Sequence, residues 1–531
     1  MRNGSPITVV LLLLGAPALA QPSDATPPAS PAAAPDRQPQ PEQPPYPPQT
    51  AAPVVIPTPP ATPPPPDPLA GYANGSFYLK DPHDWFVLFP KGRLQIDGYG
   101  FLNRGDVPAG VSYNSSKDPR PKSSIFVRRA RAELQGTVMG HFDFHIAGEF
   151  ATTPATGQTG VVADAYVIVD YLSFLKFQGG QFDLPFTLEN RTSDKYFDFM
   201  ERSLAVRAFG VPTNKDQGAM IFGWLPKKTA YYSLGVFNGD GQNYKNQDNN
   251  PAVIGRAFVA PLAWMAKDRR WMEDIWVGAS FWWQKNTNVG GPAGPVTGGG
   301  SQNDLTAMTT QGGLGFFSTN YDASVTDGSG NKLRSHLVPN GTIVKWALEA
   351  NVPVWSRIGA RFELVHQSMG LAQYNDANTV NATLVRSTAT NLGKLDGYGY
   401  YVELYGWILG DVSFIETPGI EAAPRIKKFA AAKEPKWGLQ VTAKYEHVGF
   451  TVSGLPAGAP DMMGNATKDP AEGYYQVHAF ELGLNAWATK HVRLTANYVM
   501  NYIDGDSTQV KKNFFYQRAE HELLCRIGVN L

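Results

Sequence analysis

The chain has 531 residues, with 46 Lys and Arg against 46 Asp and Glu, so its formal net charge is zero. That balance argues against a dedicated nucleic-acid binder, which needs a positive excess to neutralise phosphates. Charged residues make up 17% of the chain, where soluble domains average about 25%, while aromatics reach 12%. One Cys excludes a disulfide framework and any Cys-based zinc site.

Residues 1–20 carry a positive start (Met1, Arg2), an apolar stretch from Ile7 to Leu14 and the small-residue pattern Ala18-Leu19-Ala20 before Gln21. This is the pattern of a secretory signal peptide. From Gln21 to Pro68, 20 of 48 residues are Pro and most others are Ala, Gln, Ser, Thr or Asp. Such a segment cannot bury enough apolar surface to fold. It reads as a stiff, extended periplasmic tether that either touches peptidoglycan or is an inert leader. The body then runs over residues 69–531. It has no apolar run of about 18 residues, so if it lies in a membrane it crosses as strands.

Period-two alternation recurs along the body. Phe142, Phe144, Ile146, Gly148 and Phe150 fall on one face and Asp143, His145, Ala147 and Glu149 on the other. The pattern returns with Lys345, Ala347 and Glu349 against Val344, Trp346 and Leu348, and with Arg361 and Glu363 against Ala360, Phe362 and Leu364. It returns again with Gln440, Thr442 and Lys444 against Leu439, Val441 and Ala443, and with Arg493, Thr495 and Asn497 against Val492, Leu494, Ala496 and Tyr498. In the last segment Cys525, Ile527, Val529 and Leu531 oppose Arg526, Gly528 and Asn530, which puts the lone Cys on the apolar face. A soluble sandwich with one wet face would alternate too, so flanks and punctuation decide. Trp276, Trp282, Trp283, Tyr398, Tyr400, Tyr401, Tyr405, Trp407, Trp487, Tyr498 and Tyr502 crowd toward segment ends, as girdles at two membrane interfaces require. Short turns such as 488–491 alternate with long polar loops such as 286–305. Roughly 460 residues at about 28 per hairpin give on the order of 16 strands, the size that leaves an aqueous channel. The expected fold is therefore all-β, a transmembrane antiparallel barrel.

The run Phe126-Val127-Arg128-Arg129-Ala130-Arg131, then Asp164-Ala165-Tyr166, Gly180-Gln181-Phe182, Pro185-Phe186 and Leu188-Glu189-Asn190 carry a resemblance, joined by Phe199-Met200-Glu201-Arg202-Ser203-Leu204 and 235–241. From Arg93 to Arg256 the chain resembles the phosphate-selective porin O/P family in order and spacing; the later half resembles it in strand pattern alone. The resemblance implies a 16-stranded outer-membrane barrel, usually trimeric, with a constriction loop folded inward between Phe182 and Asp216 and a narrow pore whose arginines pass anions. It departs from the family in ending on Leu531 rather than Phe.

Parity puts Arg129, Arg131, Glu133 and Gln135 on one face, and Arg93 with Gln95 and Asp97. Arg128 has the wrong parity for a flat strand and must sit at the rim or at a bulge. Guanidiniums suit this position because they offer forked donors and never deprotonate. By resemblance, Arg93, Arg128, Arg129 and Arg202 match pore arginines, and Asp164 matches an acid near the narrowest point. Arg131 joins the anion-contacting set, and Arg191, Glu201 and Arg207 the constriction. The alternative role for each is a lumen-facing structural charge paired with a carboxylate. The constriction loop carries five basic residues (Arg191, Lys195, Arg202, Arg207, Lys215) against six acidic (Asp183, Glu189, Asp194, Asp198, Glu201, Asp216), so it is no net anion sink. Asp143 and Asn190 fall where the family carries lysines, and 286–305 contains no Arg. These departures predict a moderate anion preference with weak discrimination of phosphate over chloride.

His141 and His145 are about 13 Å apart on a strand, too far for a metal pair. No P-loop, G-x-S-x-G or H-E-x-x-H occurs. The reading is a non-enzymatic, cofactor-free outer-membrane porin for small anions such as phosphate. The alternatives are a general or other-solute porin on the same scaffold and, from a different class, a secreted soluble β-rich binding protein.

Overall fold

The computed structural model describes residues 68–73, 76–102, 122–151, 161–210, 214–246, 249–266, 269–286, 308–326, 332–377, 392–415, 417–420, 437–455, 469, 471–514 and 518–531. The signal peptide, the Pro-rich segment up to Asp67 and the Arg-free stretch beyond Asn286 lie outside the described residues.

Two short strands lead, β1 (Ala70–Ala73) and β2 (Ser76–Lys80). The wall starts with β3 (Phe86–Phe101), β4 (Ser124–Val138), β5 (Phe142–Glu149), β6 (Val161–Leu172), β7 (Leu175–Asp183), β8 (Lys215–Trp224), β9 (Ala230–Phe237), β10 (Ala252–Val259) and β11 (Trp276–Asn286). A small pair, β12 (Met308–Thr309) and β13 (Gly315–Phe317), and then β14 (Asn320–Thr326) precede the second half. That half comprises β15 (Lys332–Val354), β16 (Ile358–Ala377), β17 (Leu392–Leu409), β18 (Gly438–Ser453), β19 (Gly473–Trp487), β20 (Val492–Gly505) and β21 (Ala519–Asn530). Strands β3 to β11 and β15 to β21 pair antiparallel with their neighbours, and β21 returns to β3 through Arg526↔Asp97 and Leu524↔Tyr99. The result is a closed 16-stranded antiparallel barrel. Closure removes the sheet edges that an open sheet would expose.

Alternation sorts the side chains as the sequence predicts. Along β19, Glu481 and Asn485 are buried toward the lumen while Phe480, Leu482 and Leu484 are exposed outward. Cys525 is exposed on the apolar outer face. The short turns lie at one rim, as at 139–141, where Met139 and Gly140 both take positive φ (51° and 70°), the twist that a tight antiparallel connection needs. Exposed Trp85, Tyr171, Phe174, Trp264, Trp355 and Trp437 cluster beside the connections at that rim, forming one aromatic girdle. The predicted girdle residues divide by parity. Trp283, Tyr398, Tyr498 and Tyr502 do face outward, but Trp276, Trp282, Tyr401, Tyr405, Trp407 and Trp487 point into the lumen and are buried. No helix of the described residues is long and apolar enough to cross a membrane.

The hairpin β1–β2 pairs with β3 through Leu79↔Leu88 and Lys80↔Val87. It covers the part of β3 that extends past the end of β21, where Leu531 N donates to Gly92 O (2.8 Å). Tyr78 is buried there with Val87 and Phe89.

The outer belt yields a direct expectation. Leu482 is 61% exposed in the middle of the apolar outer face of β19, and a Lys at mid-bilayer on a barrel costs about 2–4 kcal/mol. Leu482→Lys is expected to lower the unfolding free energy of the barrel in lipid by that amount, read as a lower denaturant midpoint, whereas Glu481→Gln, facing inward, leaves the belt intact. Extraction of the wild type is expected to need detergent, with heat-dependent gel mobility as the barrel unfolds.

Candidate functional site

The connection from β7 to β8 does not stay at the rim but enters the lumen. A chain segment inside a barrel must satisfy its peptide groups against the wall, and inward side chains of distant strands do so. Leu188 N and Glu189 N donate to the Glu363 carboxylate. Met200 N donates to Asn497 Oδ1 (2.8 Å) and Met200 O accepts from Arg526 Nη1 (2.8 Å). Leu204 N donates to Glu446, which is paired with Lys444 (2.5 Å). Asp198 receives Arg361 Nη1 and Gln440 Nε2 (2.8 Å), and Arg493 binds the carbonyls of Lys195 and Phe197.

The same loop carries α1 (Leu204–Phe209), capped by Ser203, whose Oγ accepts from Val206 N. Its Leu204, Ala205, Val206 and Phe209 are all buried. They join a buried apolar cluster with inward residues of the wall, among them Val365, Val448, Phe450, Val477 and Val499, and Phe209 stands edge-on to Phe450 at 6.2 Å. Phe317 of β13 stands edge-on to both Phe450 (5.3 Å) and Tyr475 (5.1 Å), and Phe450 stacks on Tyr475 at 4.7 Å. The β12–β13 pair is held inside by Thr310 Oγ1 and Gly312 N on the Glu522 carboxylate (2.6 and 2.8 Å). From the short-turn rim, Gly419 N reaches Thr192 Oγ1 (2.7 Å) while its carbonyl accepts from Arg256 Nη1 (2.5 Å). The lumen is thus packed on the β15–β21 side.

Opposite, between the loop and the β3–β8 wall, a cavity of about 290 Å³ remains. Eight Lys and Arg and five Asp and Glu line it, a net charge of +3. Two backbone irregularities build it. In the β3–β4 register Gln95 faces Arg129 and Ile96 faces Val127, so Arg128 is an extra residue. That bulge turns the side chains of both Arg128 and Arg129 inward, the outcome that the parity of Arg128 requires. A second register shift between β5 and β6 leaves Ala163 unpaired and sets Asp164 inward.

Arg93, Arg128, Arg129, Arg131, Arg202 and Asp164 all line this cavity. Arg93 pairs with Glu133 (3.2 Å) and Asp194, and Arg129 with Asp194 (2.5 Å) and, more distantly, Glu149 (3.9 Å). Arg131 pairs with Glu149 (2.7 Å), and Lys215 joins Asp164 (2.5 Å) to Asp183 (3.0 Å). Arg128 holds both oxygens of Glu201 at 3.1 Å, and Glu201 also accepts from Tyr99 OH (3.1 Å). Burial opposes ionisation of Glu201, but Arg128 and Arg526 outweigh it and hold the carboxyl below the ordinary range. Arg202 lies over the Phe197 ring (4.8 Å), and its Nε donates to Glu189 O (3.4 Å).

Three of the sequence-predicted residues do not line the cavity, and of these Glu201 reaches it through its pair with Arg128. Arg191 is buried with Nη1 on Asp183 O. Arg207 leaves α1 toward the β12–β13 pair, donating to Thr310 O (2.9 Å) and Thr309 Oγ1 (2.7 Å). Sequence reasoning missed Asp194, Glu133, Glu149 and Lys195 as partners; the parity of Glu133 and Glu149 already placed them inside, whereas the two loop residues carried no signal. His141 stacks on Tyr171 (4.4 Å) while His145 faces Tyr166 and Glu133, so the two are not brought together. Among the described residues no His, Cys, Asp and Glu cluster could hold a metal.

A family model named phosphate-selective porin O and P matches the chain. The match covers residues 105–312. That stretch holds the bulge, the constriction loop and most of the residues that carry the resemblance. No curated protein sequence matches the chain. Solved structures similar to it include outer-membrane expressed OmpT of Vibrio cholerae, at 11% identity over 86% of this chain and 100% of that one, with a TM-score of 0.43. The outer-membrane channel DcaP of Acinetobacter baumannii is also 11% identical, over 85% and 99% of the two chains, with a TM-score of 0.42. OmpF of Salmonella typhi is 11% identical over 87% and 100%, with a TM-score of 0.41. The closed 16-stranded barrel, its apolar outer belt and its polar cavity give the molecule the architecture of a transmembrane β-barrel, similar to outer-membrane porins.

The anchorage of the loop is testable at Asp198. Breaking a buried ion pair from one side costs about 3–5 kcal/mol when the charge is left alone. Asp198→Ala takes one of two carboxylates from Arg361, which keeps Glu403 at 2.6 Å, and an acceptor from Gln440, so a smaller cost is expected. A fall of the thermal midpoint together with noisier single-channel current is expected. Asp198 is held below the ordinary carboxyl range, burial being outweighed chiefly by Arg361. Its contribution is therefore complete above that range and is lost as pH falls through the lowered value.

Proposed function

We propose that the barrel passes small anions, phosphate among them, by passive diffusion, and that it catalyses no reaction. The observation that carries this reading is the net +3 charge of the cavity beside the constriction loop, with Arg128 and Arg129 turned in together by one bulge. Confined positive charge raises the local anion concentration far more than exposed surface charge does. Arg93, Arg128, Arg129, Arg131 and Arg202 are the anion-contacting set. Arg202 is the arginine of that set with no carboxylate within ion-pair distance among the described residues. Asp164 and Glu201 set the width of the passage and its counter-charge. Arg191 and Arg207 act indirectly, by fixing the loop and the β12–β13 pair. The five carboxylates of the cavity favour moderate selectivity, so a general porin is the second reading. The family resemblance supports a trimer, and the charged start, apolar stretch and Ala18-Leu19-Ala20 pattern of residues 1–20 support delivery through a signal peptide. The Pro-rich segment is a periplasmic spacer that could contact peptidoglycan.

Reversal potentials in planar bilayers under a salt gradient test the assignment. Arg129→Glu and Arg202→Glu are expected to shift the potential toward cations, and Arg191→Glu to shift it much less. A cation-selective wild type would falsify the anion reading. Deleting 21–67, which leaves Pro68 as an acceptor for Tyr78 OH, is expected to leave barrel yield and conductance unchanged. Loss of folded barrel in that deletion would show the leader to be structural.

A further inference from the structure

The acid at the centre of the cavity belongs to the loop, not the wall. Asp194 spans two guanidiniums, with one carboxylate oxygen on Arg93 and the other on Arg129 at 2.5 Å. This is the arrangement that an oxyanion entering the pore would need, since two terminal oxygens can engage two forked donors at once. We infer that Asp194 is a built-in stand-in for the permeating anion, and that an oxyanion passes by displacing its carboxylate from the Arg93–Arg129 site. The inference rests on the anion-channel reading and adds to it a residue that sets which anions compete.

Three observations support displacement rather than a permanent bridge. The main chain on either side is fixed independently: Thr192 Oγ1 donates to Leu188 O (2.8 Å), and Arg493 holds the carbonyls of Lys195 and Phe197. The Asp194 side chain itself is tied by its two arginines and borders the open cavity, so it can leave by a side-chain rotation with the loop in place. When it leaves, Arg93 keeps Glu133 at 3.2 Å, while among the described residues Arg129 keeps the distant Glu149 at 3.9 Å as its one carboxylate. Arg129 is then the donor most in need of a new acceptor. Chloride offers both guanidiniums one shared centre, whereas phosphate offers each a separate oxygen, as the carboxylate does. Asp194 thus raises the threshold for every anion, and phosphate, which offers an oxygen to each guanidinium, overcomes it at the lower concentration.

The experiment is phosphate block of chloride current through single channels, comparing the wild type, Asp194→Asn and Asp194→Glu. Heat-modifiable mobility confirms that each variant is folded. The Asn variant removes the competing charge and is expected to lower the half-blocking phosphate concentration about tenfold, or about 1.4 kcal/mol, and to raise chloride conductance. The Glu variant keeps the charge and should remain within about twofold of the wild type, on the same scale. An anion-preferring wild type whose block is unchanged by Asp194→Asn overturns this inference alone. A wild type that prefers cations overturns the anion-channel reading and the inference with it.

Discussion

Charged side chains facing inward from the wall hold the peptide backbone of the constriction loop, and the rest of the lumen depends on that grip. An irregular segment at membrane depth is tolerated only where protein or water satisfies its polar groups. Here the satisfaction comes from Glu363, Glu446, Arg493, Asn497 and Arg526, on four different strands. Each of these charges is itself buried and would be costly alone. Loop and wall therefore stabilise one another, and neither arrangement is sensible without the other.

From that grip follows the asymmetry of the interior. Above the polar anchors, α1 and the β12–β13 pair lay apolar side chains on Val448, Phe450 and Val477, so half of the inner wall is a hydrophobic core rather than a channel lining. Among the described residues the charged cavity lies on the β3–β8 side, and the two register shifts concentrate charge there. The barrel supplies the enclosure; the loop decides which part of it conducts.

Much of this was legible in the chain. Strict alternation gave the inward positions of Arg129, Arg131, Glu133, Arg361, Lys444 and Arg493, because a period of two admits no other assignment on a barrel. Arg128 betrayed the bulge by breaking that period. The pairing of Asp194 with Arg93 and Arg129 was not legible, since a loop has no periodicity and its partners lie far along the chain. Parity was also misjudged for Trp276, Trp407 and Trp487, where an aromatic near a strand end was taken for a lipid anchor. The run Val448-Gly449-Phe450-Thr451-Val452 held an unused clue: its inward positions are apolar, which an aqueous lumen does not require and a covered wall does.

The seam between the last strand and β3 carries a bidentate pair, Arg526 Nε and Nη2 on the two oxygens of Asp97 at 2.7 Å, between residues 429 apart in sequence. Arg526 also holds Met200 O. One guanidinium therefore ties the first wall strand, the last wall strand and the loop, and it can do so only when all three have been threaded. The entropy of closing so long a chain must be met before any of these contacts forms. Closure of the seam and seating of the loop are thereby coupled, because the full set of Arg526 contacts forms only when both are complete.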